Sequence, residues 1–452
     1  MSRRVSGHRQ ARPMRRALIS AGIALAVVIS PAVPARAAVT TELVPFRMDA
    51  SNQAGWWHPI DEYNGRIYMA YNAWGSPTAS GPRDTHQVWI AKRELDGGWL
   101  DRGCMADSTG ACLVIQDDLG HHQPTIAVDG DGYIHAFFAM HGDNWRYYRS
   151  AAPGDVKSMA NMSASMPDQG GNYTYPSATR TDNGDIYLII RSGRDGRLYR
   201  WNNATNVWTN EATFARANGF VVYPDDVISA EGDIHIAWEW AAVDQVTGVG
   251  TNGLRHNGSY VRWSPVTRQF RNAAGAVVAH PVSFTTPGIV YQPIEGTEKA
   301  TDRDDFPDDD REDFPGVQSA KLSFHPTGHR PYIAYRYRSA FQGPFRVKLA
   351  QWAPDGRWVR SVVYEGIYNT FAAVDITTFG TSGIRVYYTK NQTIADDHAF
   401  AATRQANGSW TETLLLSGVP FERLAVIRRG ATDHLYLASP STHQLYYGTN
   451  TW

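Results

Sequence analysis

The stretch Gly130-Asp131-Gly132-Tyr133-Ile134-His135-Ala136-Phe137 decides the fold, because the same unit returns along the chain. It is a turn built on Gly or Asp, followed by a short run in which apolar and polar side chains alternate, the pattern of a strand. One copy precedes it, Asn64-Gly65-Arg66-Ile67-Tyr68-Met69-Ala70-Tyr71. The next two are Asn183-Gly184-Asp185-Ile186-Tyr187-Leu188 and Glu231-Gly232-Asp233-Ile234-His235-Ile236-Ala237-Trp238. Three more follow: Arg330-Pro331-Tyr332-Ile333-Ala334-Tyr335, Gly383-Ile384-Arg385-Val386-Tyr387-Tyr388 and Asp433-His434-Leu435-Tyr436-Leu437-Ala438. Most neighbours lie about 50 residues apart, the length of a four-stranded blade. A single small sheet cannot bury both of its faces, whereas seven stacked around an axis do so and leave few open edges. The chain therefore reads as all-β, a single-domain seven-bladed β-propeller. A solenoid or two sandwiches would explain fewer of the repeats.

A second echo is Asp/Asn-Gly-x-Trp, at Asp96 to Trp99, Asp355 to Trp358 and Asn407 to Trp410. A tight turn followed by a Trp that packs between sheets suits the outer hairpin of a blade. It resembles a degraded Asp-box of sialidase-like propellers.

Composition excludes several functions. The net charge is −1 over 452 residues, so no global field points to nucleic acid or an anionic membrane. An anionic substrate must be met by locally placed Arg and His. Residues 1–37 read as a cleaved leader: a basic run at Arg3, Arg4, Arg9, Arg12, Arg15 and Arg16, an apolar stretch from Ala17 to Val33, then Ala35-Arg36-Ala37. Residues 38–452 are then the propeller, and the protein is expected to be secreted. No later segment reaches the roughly 18 apolar residues that span a bilayer. Export makes a local disulfide between Cys104 and Cys112 the expected state of the two cysteines. The acidic insertion around Glu295 to Pro315 carries Asp302, Asp304, Asp305, Asp308, Asp309, Asp310, Glu312 and Asp313. It is either a structural calcium loop or a solvated excursion, and it lacks the ordered spacing of an EF-hand. No cofactor is otherwise expected, and the protein is expected to be a monomer.

The chemistry is concentrated around Gly120-His121-His122-Gln123-Pro124, the strand that follows, and Met140-His141-Gly142-Asp143-Asn144-Trp145-Arg146. His121 enters one strand of the second blade and His141 leaves the next, which brings both to one end of the blade. With Asp129 and Gly132 between them, this pattern resembles the BNR-repeat propellers that include ulvan lyases and L-rhamnose-α-1,4-D-glucuronate lyases. In that family an Asp-His-Asn segment precedes an Asp-x-x-Gly turn and a strand ending in Met-His. Here Gly120 replaces the Asp and His122 the Asn. Tyr173-Thr174-Tyr175-Pro176 and Arg191 resemble the family's Tyr-Pro strand and the Arg closing the next strand. His256-Asn257-Gly258-Ser259-Tyr260 resembles a His-Asp-x-x-Tyr segment, with Asn257 in place of Asp.

The resemblance implies cleavage of a rhamnosyl-α-1,4-glucuronate linkage by β-elimination. His121 would take the C5 proton, since an imidazole titrates near neutral pH. Tyr175 would protonate the leaving oxygen, and Arg191 would grip the carboxylate while charge develops. His141 would hold the carboxylate or orient the sugar; Arg146, Tyr223, His256 and Tyr260 would contact neighbouring units of a uronic-acid-containing glycan. Each residue also has a purely structural reading. Tyr175 would pack between blades, and Arg191 would pair with Asp185 or Asp195. Trp57 and His58 would line a sugar site or belong to the core. Two other functions compete: an α-L-rhamnosidase-type hydrolase using Asp225, Asp226 and Glu239, and a non-catalytic carbohydrate-binding propeller. A metal centre on His121, His122 and His141 lacks a spaced acidic or thiolate partner.

Overall fold

Each repeated unit lies in the second strand of an antiparallel sheet with a four-stranded core, and seven such sheets follow one another along the chain, those of blades 1, 3 and 4 with additional strands. The computed structural model describes residues 39–49, 57–74, 85–99, 101–116, 122–243, 250–293, 316–325, 330–338, 344–367, 373–390 and 398–452. The expected leader and the acidic insertion with its calcium reading lie outside these. The segment from Ala37 to Trp452 is one unit, a seven-bladed β-propeller with no α-helix among its described residues.

The innermost strands of blades 1 to 7 are Ile60–Tyr63, Thr125–Val128, Tyr173–Arg180, Phe220–Ala230, Gly316–His325, Val374–Phe379 and Arg423–Arg429. The second strands, Arg66–Trp74, Ile134–Phe137, Ile186–Ser192, Asp233–Val243, Arg330–Arg338, Gly383–Lys390 and Thr432–Ser439, contain the seven repeats. Alternation is what lets them stack: buried side chains from both faces of a sheet meet those of the sheets on either side. Seven apolar clusters result, each shared by two neighbouring blades. Ala136, Phe138 and Tyr148 of blade 2 meet Tyr68, Ala70 and Ile90 of blade 1. The series closes where Ala425, Tyr436 and Leu445 of blade 7 meet Ile60, Met69 and Tyr71 of blade 1.

Blade 7 is completed by the N-terminal strand. Val39–Leu43 pairs with Gln444–Thr451, with Val39 opposite Asn450 and Leu43 opposite Tyr446. Trp99, from the Asp-Gly-x-Trp echo, donates its indole N–H to Glu42 on this strand at 2.8 Å. Trp358, from another copy, packs against Trp352, Tyr260 and Tyr291.

Inner strands are also tied to each other by carboxylates. Asp61 accepts the Val128 N–H at 2.8 Å, Asp226 that of Leu322 at 2.6 Å, and Asp375 that of Val426 at 2.6 Å. Each bond satisfies a buried amide from the following blade. Together the later halves of these strands surround a central cavity of about 390 Å³. The Asp129 turn is another brace: it accepts N–H bonds from Asp131 and Tyr133, and His135 meets its other oxygen at 3.1 Å. Gly132 adopts φ +87°, and a Cβ there would stand 2.9 Å from the Tyr63 ring. Asp129 and Gly132 thus hold the blade rather than a substrate.

Candidate functional site

An eighth apolar cluster is not part of the stacked series. Trp57, Tyr175, Val221, Tyr223 and Ala241 gather at the end of the ring where the inner strands of blades 3 and 4 begin. Tyr175 is brought there by a break in its own strand. Pro176 has no N–H to give a ladder, and the pairing with the second strand of blade 3 slips between Thr174 and Ser177. Tyr175 takes φ +60°, the left-handed region, which costs a non-glycine residue about 1 kcal/mol or more. Its ring centroid lies 5.3 Å from that of Tyr223, 5.8 Å from Trp57 and 6.2 Å from His141.

Register supplies the other two members. Thr174 is opposite Arg191 on one side and opposite His141 on the other, because the short strand His141–Asp143 adds to the edge of blade 3. Gly142 N–H donates to Thr174 Oγ1 at 2.8 Å and fixes that edge. Arg191 then sets its guanidinium 4.8 Å from the centroids of both Tyr175 and Tyr223. Asp185 is held by Arg200 at 2.6 Å and Asp195 lies 3.7 Å from Arg216, so the expected structural partners of Arg191 are engaged elsewhere. Among the described residues no carboxylate pairs with Arg191. Its charge rests against two aromatic faces.

Next to this cluster is a pocket of about 480 Å³ lined by Leu113–Gln116, His122, His141, Asp143 and Arg146. His141 belongs to both. Arg146 Nη1 is 3.3 Å from Asp143 Oδ2, and the Arg146 N–H donates to Met140 Sδ at 3.3 Å. His122 Nε2 lies 3.9 Å from the same Asp143 oxygen. Behind it His86 is fully buried, with its ring 5.9 Å from that of His122. Burial pushes His86 down to about 3, and the neighbouring His122 and Arg146 add to the effect, so His86 stays neutral. A disulfide joins Cys104 to Cys112 just before the pocket wall begins.

Other sequence candidates fall elsewhere. Tyr260 is 1% exposed, packs in the core between blades 4 and 5, and hydrogen-bonds His235 Nδ1 through its hydroxyl at 2.6 Å. This is a correction: the resemblance to a His-Asp-x-x-Tyr segment made Tyr260 a glycan contact, but its face of the sheet is the blade interface. His121 and the side chain of His256 lie outside the described residues. Asp225, Asp226 and Glu239 are each at most 2% exposed. Asp226 faces the central cavity, paired with His58 Nε2 and 3.9 Å from Lys321. Burial alone would raise its carboxyl, but Lys321 and His58 hold it below the ordinary value. Among the described residues no three His, Cys, Asp or Glu side chains gather as a metal-ligand set.

Comparison with known proteins agrees with this architecture. A family model described as "BNR repeat-containing family member" matches residues 66–348, more than half of the chain. The chain belongs to this BNR-repeat family. Within the family's neighbourhood, it is similar to an "Ulvan Lyase-PL25" of Pseudoalteromonas sp. (strain PLSV), 24% identical over 197 residues. It is also similar to an ulvan lyase of Alteromonas sp. (strain LOR), 23% identical over 197 residues. Each match covers 36% of this chain, and 38% and 39% of the two lyases. Among solved structures, a PL25 ulvan lyase bound to -[GlcA(1-4)Rha3S]- superimposes with a TM-score of 0.64 at 18% identity, covering 90% of this chain and 95% of that one. The polysaccharide lyase Uly1 gives 0.60 at 13% identity over 87% of this chain and 90% of its own. At such identities the likeness establishes a shared BNR-repeat propeller.

Sequence reading passed over Asp143. It offered Trp57 and His58 either a sugar site or the core; Trp57 joins the aromatic cluster, and His58 lines the central cavity beside Asp226. An X-Pro pair precedes the inner strands of blades 1 and 2, at His58-Pro59 and Gln123-Pro124, and lies inside those of blades 3 and 4, at Tyr175-Pro176 and Tyr223-Pro224. In blades 3 and 4 the residue before the proline is the tyrosine that enters the cluster at the mouth of the ring.

Proposed function

We propose that this protein is a secreted polysaccharide lyase that cleaves a rhamnosyl-α-1,4-glucuronate linkage by β-elimination. The observation that carries the reading is the placement of Arg191 over Tyr175 and Tyr223 with His141 beside them. The similarity to two ulvan lyases supports the choice of substrate class.

The C5 proton of a uronate is weakly acidic because the adjoining carboxylate is negative. Arg191, always charged and engaged by rings rather than by a protein carboxylate, is suited to bind that group and stabilise the charge that develops as C5 loses its proton. In glucuronate the C5 hydrogen and O4 lie on the same side, so base and acid can approach from one face. His121 takes the C5 proton; the C–H electrons form the C4=C5 bond; the C4–O4 bond breaks with its electrons on O4; Tyr175 gives its phenolic proton to that oxygen. His141 orients the sugar between Tyr175 and the neighbouring pocket. The countercharge comes from Arg191, and no bound ion is required. The hydrolase alternative needs two carboxylates flanking an open cleft. Asp225, Asp226 and Glu239 are instead buried. The Cys104–Cys112 disulfide supports an oxidising, extracellular compartment.

The test is incubation of the purified protein with ulvan or a rhamnosyl-glucuronate oligosaccharide. Ultraviolet absorbance from the new double bond is the expected result. New reducing ends without absorbance would identify a hydrolase, and saturable binding without either would identify a binding protein.

A further inference from the structure

Beside the proposed reaction centre, the pocket behind His141 carries a charge arrangement that the elimination does not use. His122 is nearly buried there, its side chain 9% exposed. Its Nδ1 lies 3.0 Å from the carbonyl oxygen of Gln116. A carbonyl only accepts, so Nδ1 carries the proton and Nε2 is left as the atom that titrates. That atom faces Asp143 Oδ2 at 3.9 Å. Arg146 reaches the same carboxylate from elsewhere, with Nη1 3.3 Å from Oδ2 and Nη2 3.4 Å from Oδ1. The His141 backbone N–H donates to Oδ2 at 3.1 Å. Asp143 and Arg146 are about one-third exposed and open onto the pocket.

Across Asp143, Arg146 and His122 the charge count depends on one proton; His141, the other imidazole lining the pocket, faces the Tyr175–Arg191 cluster. His86, from the third strand of blade 1, is buried and neutral, so it adds none. Asp143 contributes one negative charge and Arg146 one positive charge. Neutral His122 leaves the group balanced. Protonated His122 leaves it with one excess positive charge in a pocket that shares His141 with the Tyr175–Arg191 cluster.

We propose that His122 is a specificity-determining residue: in its protonated form it joins Arg146 in binding an anionic substituent that flanks the reacting uronate, either a sulfate ester on the adjacent rhamnose or the carboxylate of the next uronate. The glycan as ligand rests on the function proposed above; the charge arrangement does not. Gln116 fixes the imidazole orientation, Asp143 faces its Nε2, and Arg146 sets the floor of positive charge. Affinity therefore falls as pH rises through the imidazole range.

The experiment is calorimetric titration of the full chain carrying Tyr175→Phe, which slows turnover, between about pH 5.5 and 8, where imidazole changes charge. The ligands are a tetrasaccharide of alternating glucuronate and sulfated rhamnose and the same tetrasaccharide after desulfation. The dissociation constant is expected to rise about tenfold across this range, a change of about 1.4 kcal/mol. A second protein also carrying His122→Gln, whose amide can still donate to Gln116, is expected to bind at every pH with the weaker, high-pH affinity and to keep the parent melting temperature. Loss of the pH dependence on desulfation assigns the contact to sulfate; its persistence assigns it to carboxylate. A pH-independent affinity for both ligands, an unchanged pH dependence in the His122→Gln protein, or no binding at all would overturn the proposal. Binding with the expected pH dependence, but no double-bond absorbance from the wild-type protein, would leave this inference standing and remove elimination.

Discussion

Arg191 illustrates how a single side chain is kept available. A guanidinium packed beside the neighbouring rings of Tyr175 and Tyr223, with no carboxylate partner among the described residues, leaves its charge for a ligand. Arg191→Ala is expected to lower kcat/KM for elimination by about 10²- to 10³-fold, the usual loss for one charge-stabilising group. Arg191→Lys should recover little of this, since an ammonium cannot make the paired contacts. Tyr175→Phe should melt within a few degrees of wild type, because the ring stays in its cluster, yet lose turnover; steady-state kinetics and thermal melting check both. The placement of Tyr175 and Arg191 on adjacent strands came from their resemblance to the family's Tyr-Pro strand and the Arg that closes the next strand. Tyr260 was assigned to the site by the same resemblance, and alternation could not correct it, since period 2 identifies two faces but does not say which one meets a neighbouring blade. The bulge that turns Tyr175 into the mouth was likewise hidden, with only Pro176 hinting at it.

At the level of elements, the wall of the charged pocket depends on a covalent staple. The Cys104–Cys112 disulfide closes a short loop, and the chain then runs through Leu113 to Gln116, where Ile115–Gln116 pairs with Thr85 and His86. Gln116 in turn holds His122. Replacing both cysteines by serine is expected to cost roughly 2–3 kcal/mol of stability by chain entropy. It should also raise KM more than it lowers kcat, because the loosened wall lies beside the reaction centre; denaturant melts and kinetics on the same preparation separate the two effects. The second strand of each blade was readable because its turn and alternation survive intact. The inner strands were harder. In blades 3 and 4 they carry an internal proline, and in blades 3, 4 and 5 they are interrupted by register slips.

For the whole molecule, the central cavity links the ring to pH. Burial raises the Asp375 carboxyl from its ordinary 3.8 to about 7; Lys321 opposes this and Asp226 adds to it. A raised carboxyl holds its proton in the folded protein after the unfolded chain has lost it. Its contribution to stability is therefore full below about pH 4 and is lost as pH rises towards 7. The drop in melting temperature between about pH 5 and 8 should be smaller for Asp375→Asn than for wild type. An equal drop in the two proteins would show that Asp375 does not titrate in this range. Seven blades could be counted from the repeats, whereas this cavity could not be foreseen, since Asp226, Lys321 and Asp375 come from three different blades and meet only when the ring forms.

The N-terminal strand has a consequence for how the protein is made. Val39–Leu43 completes the last blade by pairing with Gln444–Thr451, so the first of the described strands to be synthesised must wait for the last. Few contacts in a chain have a greater sequence separation, and such contacts pay their loop-closure entropy before they return any stabilisation. Blades 1 to 6 have all their strands before that point, and blade 7 alone stays one strand short. Until these two segments meet, the ring is nearly built but unsealed, with the Gln444–Thr451 edge open to other chains.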